Sequence, residues 1–379
     1  MSGEKVGGMS LQSTIGSNVV FVDKLDQSER MMALMANQGL DRVPVMPFAL
    51  GYTAKISGMT LKEFYMQPEK AFRAQGLAAE LHGYDGTGPS YMFLDWEGWE
   101  FGGEMKFPES YKQGGPTLAK SPVEKPEDVE NLRMPNPRTS TNAVPLFLQA
   151  GRMLREMGFP ATLSIGSPTN AAAAIVGKDK MLRWYLKEPE LVHAVMRKAT
   201  DFILATAHYF IDEFGSENCA ATEGLPLDSN LLISSQTFKK FSYPYIKEIH
   251  ERLLAKGVNS FFIHLCGDHT ANLPYWRDIP LPPRSVISIG SQTDIEATAK
   301  AFGENHIVAG NVPTSVLQTG SPEDVMEACR VCIEKGKDLP GGFILMPECE
   351  MPPLAPPVNV HAMLKAAREY GAYETVGVK

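Results

Sequence analysis

The sequence predicts a single α/β domain folded as a (β/α)8 barrel, also called a TIM barrel. Short apolar segments rich in branched side chains alternate with amphipathic helical segments along most of the chain, a pattern typical of a parallel sheet. About eight such apolar segments are present, and a chain of 379 residues can form one large barrel. No Gly-rich dinucleotide-binding fingerprint accompanies the alternation, which disfavours a doubly wound sheet.

The first part of the chain contains an extension and the opening elements of the barrel. Residues 1–25 are polar and contain several Gly and Ser residues, so we predict an N-terminal extension followed by a barrel domain over residues 26–379. A helix is predicted over residues 26–37, a strand bounded by prolines over residues 43–48, and a helix over residues 61–81.

Residues 93–110 interrupt the alternation with aromatic and acidic residues and several glycines. This composition predicts a β-hairpin insertion that covers the barrel mouth without contributing chemistry. Residues 121–138 are rich in proline and acidic residues, which indicates a surface connection. Because the alternation resumes after them with the same rhythm, they do not mark a domain boundary.

The remaining elements follow in the order expected of repeated βα units. Strands are predicted at residues 161–165, 218–222, 258–266, 286–289, 307–310 and 343–346. Helices are predicted at residues 145–157, 171–176, 178–214 with a break near Pro189, 235–256, 272–278, 295–302, 322–335 and 359–370. The carboxyl ends of parallel barrel strands share one rim, so we expect the active site there.

Three side chains that commonly bind metals lie at the ends of two predicted strands. His264 and Cys266 are two residues apart and therefore project to the same side of a strand, and Cys349 follows the last strand. One imidazole and two thiolates suit Zn(II), and three protein ligands leave a position open for water or substrate. A single His-x-Cys pattern is weak, and structural buried cysteines are the alternative.

Other polar residues are predicted on or near the same rim. Glu223 is a candidate base or weak fourth ligand, or equally a solvated loop carboxylate. Asp268 is a candidate catalytic group or a helix cap. Asn311, Asp228 and Asp85 are candidates for substrate binding, although an aspartate in a Gly-rich turn such as Asp85 is more often a turn former.

Two further features have simpler interpretations. Cys329 and Cys332 form a C-x-x-C pair inside a predicted helix, and without a second pair they are expected to be helix-face thiols. His269 follows the candidate ligands into a helix start, so exposure to solvent or a supporting role is expected rather than metal binding.

Composition excludes several classes of partner. The net charge of −8 argues against nucleic acid and anionic membranes, and no apolar run approaches the length of a membrane span. The N-terminus lacks a basic start followed by an apolar core, so no signal peptide is predicted. Five cysteines without a framework spacing fit a reducing compartment. We therefore predict a cytoplasmic protein.

Four short motifs resemble a known family. They are His-Leu-Cys-Gly-Asp at 264–268, Gly-Asn-Val-Pro-Thr at 310–314, Cys-Glu-Met-Pro-Pro at 349–353 and Pro-Pro-Val-Asn-Val at 356–360. Together they resemble the C-terminal half of the uroporphyrinogen decarboxylase family, and more narrowly its methylcobamide:coenzyme M methyltransferase branch. The resemblance extends from about residue 41 to residue 370 and is strongest after residue 237.

The resemblance implies a zinc ion held by His264, Cys266 and Cys349, which binds a substrate thiol such as coenzyme M as the thiolate. A methylated corrinoid would donate its methyl group to that sulfur. Zinc coordination deprotonates a thiol while leaving it nucleophilic. The chain lacks the D-x-H-x-x-G pattern of a corrinoid-binding domain, so cobalamin is expected from a cognate corrinoid protein or free in solution. The resemblance also implies a homodimer.

Several alternatives stay open at this point. A decarboxylase that acts without metal would need several arginines around its pocket, but a single arginine, Arg42, precedes the first predicted strand. A demethylating enzyme that passes a substrate methyl group to a Co(I) corrinoid would use the same zinc site as a Lewis acid. A non-catalytic scaffold is the third alternative. The 93–110 insertion and Pro313 depart from the methyltransferase pattern, so the identity of the small substrate stays open.

Overall fold

A computed structural model of the protein describes residues 23–86 and 88–373. The predicted N-terminal extension therefore lies outside the described residues except for its last three. Within the described residues, no helix is both long and apolar enough to cross a membrane.

Six parallel strands form the central sheet. The strands of the structure are β1 (Glu104–Lys106), β2 (Thr117–Lys120), β3 (Ala161–Ser164), β4 (Cys219–Gly224), β5 (Phe261–Leu265), β6 (Val286–Ile289), β7 (Ile307–Val312) and β8 (Phe343–Pro347). The sheet order is β3-β4-β5-β6-β7-β8, and every neighbouring pair is parallel. This order, with helices between the strands, confirms the predicted α/β class.

The predicted first strand is present as a short extended segment beside β8. Val45 forms a parallel bridge with Leu345, and Asp85 N–H donates to the carbonyl of Val45 over 2.7 Å. The extended segments around Val45 and Asp85 thus continue the sheet beyond β8, as a barrel requires. No regular strand of the described residues pairs with the free edge of β3.

Helices surround the sheet. They are Gln27–Met35, Leu50–Ile56, Leu61–Met66, Pro68–His82, Trp96–Glu100, Asp128–Asn131, Ala143–Glu156, Pro168–Val176, Lys178–Lys187, Pro189–Phe214, Ser235–Thr237, Tyr243–Ala255, Leu273–Trp276, Ile295–Phe302, Thr314–Thr319, Pro322–Gly336 and Pro357–Glu369, with tighter or wider turns at Pro137–Thr139, Ser216–Asn218, Pro226–Asp228 and Phe238–Ser242. Capping boxes begin several of them, as at Asp26 with Glu29 and at Ser321 with Asp324.

Two predictions for the first third of the chain were wrong in detail. The helix predicted over residues 61–81 is two helices, because Pro68 cannot continue the first one and begins the second. The predicted hairpin is β1 paired with β2, so its first strand lies within residues 93–110 and its second strand lies beyond them. Trp96 begins a short helix instead, since its indole packs between Phe147 and Phe202.

A buried ion-pair network closes the amino-terminal end of the barrel. The carboxylate of Asp85 accepts hydrogen bonds from Arg30 Nη1 over 2.6 Å, Arg42 Nη1 over 2.7 Å and Val45 N–H over 2.8 Å. Arg42 precedes the first extended segment, so this network lies at the opposite end of the barrel from the carboxyl-terminal rim. Asp85 was predicted to bind substrate, but both of its oxygens are engaged here in holding the fold together.

Candidate metal centre

His264, Cys266 and Cys349 meet at the carboxyl-terminal rim. Their nitrogen and sulfur atoms all lie within 4.8 Å of one another, and the two sulfurs are 3.6 Å apart. Two thiolates on one tetrahedral Zn(II), with Zn–S bonds of about 2.3 Å, would be about 3.8 Å apart. The structure thus brings the three predicted ligands together at a separation that suits zinc.

The pleat of β5 directs His264 toward the barrel interior. Ile263 and Leu265 are fully buried against the helices, whereas His264 on the opposite face is partly exposed. The Nδ1 atom of His264 lies 3.1 Å from the hydroxyl of Ser288, its register partner on β6. Its Nε2 atom is buried and has no hydrogen-bond partner. That nitrogen is therefore available to a metal, with the ring oriented by Ser288.

Glu348 positions Cys349 and was not predicted from the sequence. Its carboxylate accepts hydrogen bonds from the N–H groups of Ser291 over 3.1 Å and Thr314 over 2.8 Å, and from both hydroxyls. Burial alone would raise the pKa of Glu348, but these hydrogen bonds lower it by more. The pKa of Glu348 therefore lies below its usual value. The carboxylate thereby ties the end of β8 to the loops after β6 and β7. Its place immediately before Cys349 was the only signal in the sequence.

The pKa values of the two thiols shift in opposite directions. The hydrogen bond from Cys266 lowers the pKa of Cys349, and His264 adds to this effect against the cost of burial. The same interaction, together with burial, raises the pKa of Cys266. The pair therefore favours a thiolate at Cys349, which is the protonation state that a metal ligand requires.

The structure places Glu223 away from this cluster. It lies on the helix-facing side of β4 and is 1% exposed, and its carboxylate contacts His250 Nε2 at 3.1 Å. Burial raises the pKa of Glu223, and His250 partly opposes that rise. Successive side chains on a strand point to opposite faces, and Glu223 lies on the outward face although it is near the end of β4. Its position near the strand end therefore wrongly predicted that it reaches the site.

Asn311, Asp268 and Asp228 have partners within the protein. The amide of Asn311 donates to the carbonyls of Gly290 and Thr293 over 3.1 and 3.0 Å. Asp268 accepts from Thr270 N–H over 2.9 Å in a local turn, and the next helix begins after Asn272, so the predicted helix cap was wrong. Asp228 is fully buried and accepts from a serine hydroxyl over 2.5 Å. None of the three joins the metal-type cluster among the described residues.

The two thiols of the C-x-x-C pair, Cys329 and Cys332, are buried on the helix Pro322–Gly336. The imidazole of His269 contacts the carbonyl of Leu225 at 3.1 Å. Both observations agree with the structural roles expected for these residues.

The sequence profile of the uroporphyrinogen decarboxylase (URO-D) family matches residues 26–370. The chain belongs to this family. A methylcobamide:CoM methyltransferase MtbA of Methanosarcina acetivorans is 27% identical over 349 residues, which cover 90% of this chain and 97% of that protein. MtaA of Methanosarcina barkeri, also named a methylcobamide:CoM methyltransferase, is 25% identical over 352 residues, which cover 90% and 98%.

A solved methyltransferase structure from Methanosarcina mazei has the same fold. It superposes with a TM-score of 0.72 at 20% identity and covers 92% of this chain and 99% of that one. Because the family profile and the two curated relatives match nearly the whole chain, they confirm the predicted family, its methyltransferase branch and the expectation of a methyltransferase.

Proposed function

We propose that this protein is a zinc-dependent methyltransferase that moves a methyl group between a corrinoid and a small sulfur compound. The observation that carries the proposal is the convergence of His264, Cys266 and Cys349 within 4.8 Å at the active rim of the fold. The relatives are named for methyl transfer from methylcobamide to coenzyme M, which supports the corrinoid part of the proposal.

Zinc bound at the three ligands would supply a Lewis acid that keeps the substrate sulfur deprotonated at neutral pH. The chain's own groups prepare that position. Ser288 orients His264 so that Nε2 faces the two sulfurs, and Glu348 holds Cys349 beside Cys266. Such fixed supporting contacts keep ligands in place without reorganisation during the reaction.

Gly267 shapes the chain immediately after the ligand Cys266. Its φ of +83° favours glycine, and a Cβ at this position would lie 2.7 Å from Ser229 Oγ. The backbone can therefore turn away directly after the ligand.

The corrinoid is proposed to arrive on a cognate corrinoid protein or free in solution. A reaction in the opposite direction, from a methylated donor to a Co(I) corrinoid, would use the same residues. The homodimer and the cytoplasmic location stay predictions.

Zinc content of the purified protein tests the proposal directly. We expect about one zinc per chain in the native protein and its loss in His264→Ala, Cys266→Ser and Cys349→Ser, with the fold retained by circular dichroism. Cys329→Ala removes a buried thiol elsewhere and should keep its zinc. Methyl transfer from methylcobalamin to thiols should follow zinc content. Zinc retained in all three ligand variants would contradict the proposal, and turnover of uroporphyrinogen would then be measured.

A further inference from the structure

The candidate ligand Cys266 lies just beyond the regular part of β5. That strand ends at Leu265, and the next helix begins at Leu273. We define the residues between them, 266–272, as the ligand loop. Because the loop is neither strand nor helix, contacts with neighbouring segments determine where its backbone lies. The same contacts therefore determine where the Cys266 sulfur lies.

The turn after β6, residues 290–293, packs directly against the ligand loop. Gly290 N–H donates to the carbonyl of Leu265 over 2.9 Å, which extends the β5–β6 ladder to the residue before Cys266. A Cβ on Gly290 would lie 2.6 Å from the backbone nitrogen of Gly267, so any larger residue would displace the ligand loop. The turn thus contacts the backbone on both sides of this ligand.

Thr293 closes the turn and joins it to the ligand loop. Its N–H donates to the carbonyl of Gly290 over 3.1 Å, the pattern of a β-turn. Its hydroxyl accepts from His269 N–H over 2.9 Å and donates to the carbonyl of Gly267 over 3.2 Å. Thr293 is fully buried, so loss of the hydroxyl would leave both backbone groups without this partner.

Asn311, near the end of β7, holds this turn in place. Its side-chain amide donates to the carbonyls of Gly290 and Thr293, the first and last residues of the turn. Its Oδ1 accepts from the thiol of Cys332 at 3.5 Å. Two carbonyl partners require the NH2 group, so the orientation of the amide follows from its partners. Both amide hydrogens are used within the protein, which leaves none for a substrate.

The segment that carries the second thiol contacts the same turn. Ser291 N–H donates over 3.1 Å to Glu348, the residue before Cys349. One turn of the chain earlier, Ser288 on β6 lies 3.1 Å from Nδ1 of His264. None of the three candidate ligands lies on β6, yet β6 and the turn after it contact each ligand or a residue beside it.

We propose that Asn311 is a positioning residue for the metal centre: it holds the turn 290–293, and the turn sets the separation of the Cys266 and Cys349 sulfurs. This inference rests on the proposed function and goes beyond it, because it assigns the geometry of the site to a strand and a turn that supply no ligand. It also replaces the substrate-binding role that the sequence predicted for Asn311.

Two shape-conserving substitutions test the proposal. Asn311→Asp turns an oxygen toward two carbonyl oxygens, which would push the turn away. Thr293→Val is milder, since it removes only the hydroxyl. Competition with a chelating dye measures zinc affinity, and the visible spectrum of the cobalt-substituted protein reports the geometry of the site. We expect zinc affinity to fall by about 10–100-fold in both variants, with altered thiolate–cobalt bands.

Asn359 provides a matched control for Asn311. It is 1% exposed, and its amide also donates to two carbonyls, those of Leu317 over 2.9 Å and Gly320 over 3.0 Å. Asn359→Asp should therefore lower the stability of the protein in the same way. It should nevertheless keep zinc affinity within about twofold of native and leave the cobalt spectrum unchanged.

Thr298→Val is the control for Thr293→Val. The hydroxyl of Thr298 is also fully buried, but it donates to the carbonyl of Asp294 at the start of its own helix. Equal losses of zinc affinity in the variants and their controls overturn the inference. So does an affinity within about twofold of native in both the Asn311 and Thr293 variants. If Asn311→Asp does not fold, the comparison of Thr293→Val with Thr298→Val decides.

Failure of the proposed function is distinguishable. If the native protein binds no zinc, the proposed function fails, and hydrogen exchange in the metal-free protein then tests the inference. Asn311→Asp and Thr293→Val should accelerate exchange of the backbone amides of the ligand loop, whereas the Asn359 and Thr298 variants should not. Exchange in the ligand loop at the native rate in the first two variants would refute the positioning role.

Discussion

Replacing Glu348 by alanine would measure how far Cys349 depends on the carboxylate beside it. That carboxylate accepts two backbone and two hydroxyl hydrogen bonds from Ser291 and Thr314. Hydrogen bonds to a charged group contribute about 1.5–3 kcal/mol each, but water can replace part of them at this half-buried position. We therefore expect a loss of about 2–3 kcal/mol in the free energy of unfolding. Zinc affinity should fall by about 10–100-fold, because a contact that supports a ligand is lost.

Urea unfolding of the metal-free protein measures the first quantity, and competition with a chelating dye measures the second. Glu348→Gln retains one carbonyl acceptor and should lose less of both. Glu327→Ala removes an exposed carboxylate from the helix Pro322–Gly336 and serves as the control. If the Glu348→Ala protein binds zinc within about twofold of the native affinity, Cys349 does not depend on this carboxylate and the reasoning fails.

Three further predictions concern the rest of the chain. Asp85→Asn removes the negative charge that pairs with the buried Arg30 and Arg42. The free energy of unfolding in urea should fall by about 3–5 kcal/mol, with zinc content unchanged. Burial raises the pKa of Asp23, but hydrogen bonds from Arg368 and Arg42 lower it to about 2. Because the pKa of Asp23 is lowered on folding, this carboxylate stabilises the fold above pH 3.8, and the stabilisation is lost as pH falls toward 2. Asp23→Asn should therefore reduce the pH dependence of the free energy of unfolding in this range by about 1 kcal/mol. Glu223→Gln should lower stability by about 1–2 kcal/mol and leave methyl transfer unchanged, whereas a tenfold fall in kcat would restore its catalytic role.

The strands from β3 onward and the metal ligands were predictable because local signals agree with the tertiary arrangement. Apolar runs of strand length place His264 and Cys266 on one face, and the parallel order then brings Cys349 to the same rim. The first two extended segments of the barrel were less predictable. Residues 43–46, for example, pair with β8 through only a short run of hydrogen bonds.

The supporting and substrate-binding residues could not be assigned in the same way. Whether an acidic residue reaches the site depends on partners far away in the sequence. Asp85 is neutralised by Arg30 and Arg42, whereas Glu348 is held beside Cys349 by Ser291 and Thr314. Neither relationship has a local signature in the sequence.

The contacts at the amino-terminal end of the barrel also join the two ends of the described chain. Val43 N–H donates to the carbonyl of Gly371 and Tyr373 N–H to that of Asp41, while Arg368 holds Asp23 at 3.0 Å. Residues 23 and 373 are thereby held to neighbouring parts of the fold, on the side away from the metal ligands. A circular permutant that links these residues and opens a surface loop elsewhere should retain this arrangement. An immobilisation tag placed here would leave the reactive rim facing its partners.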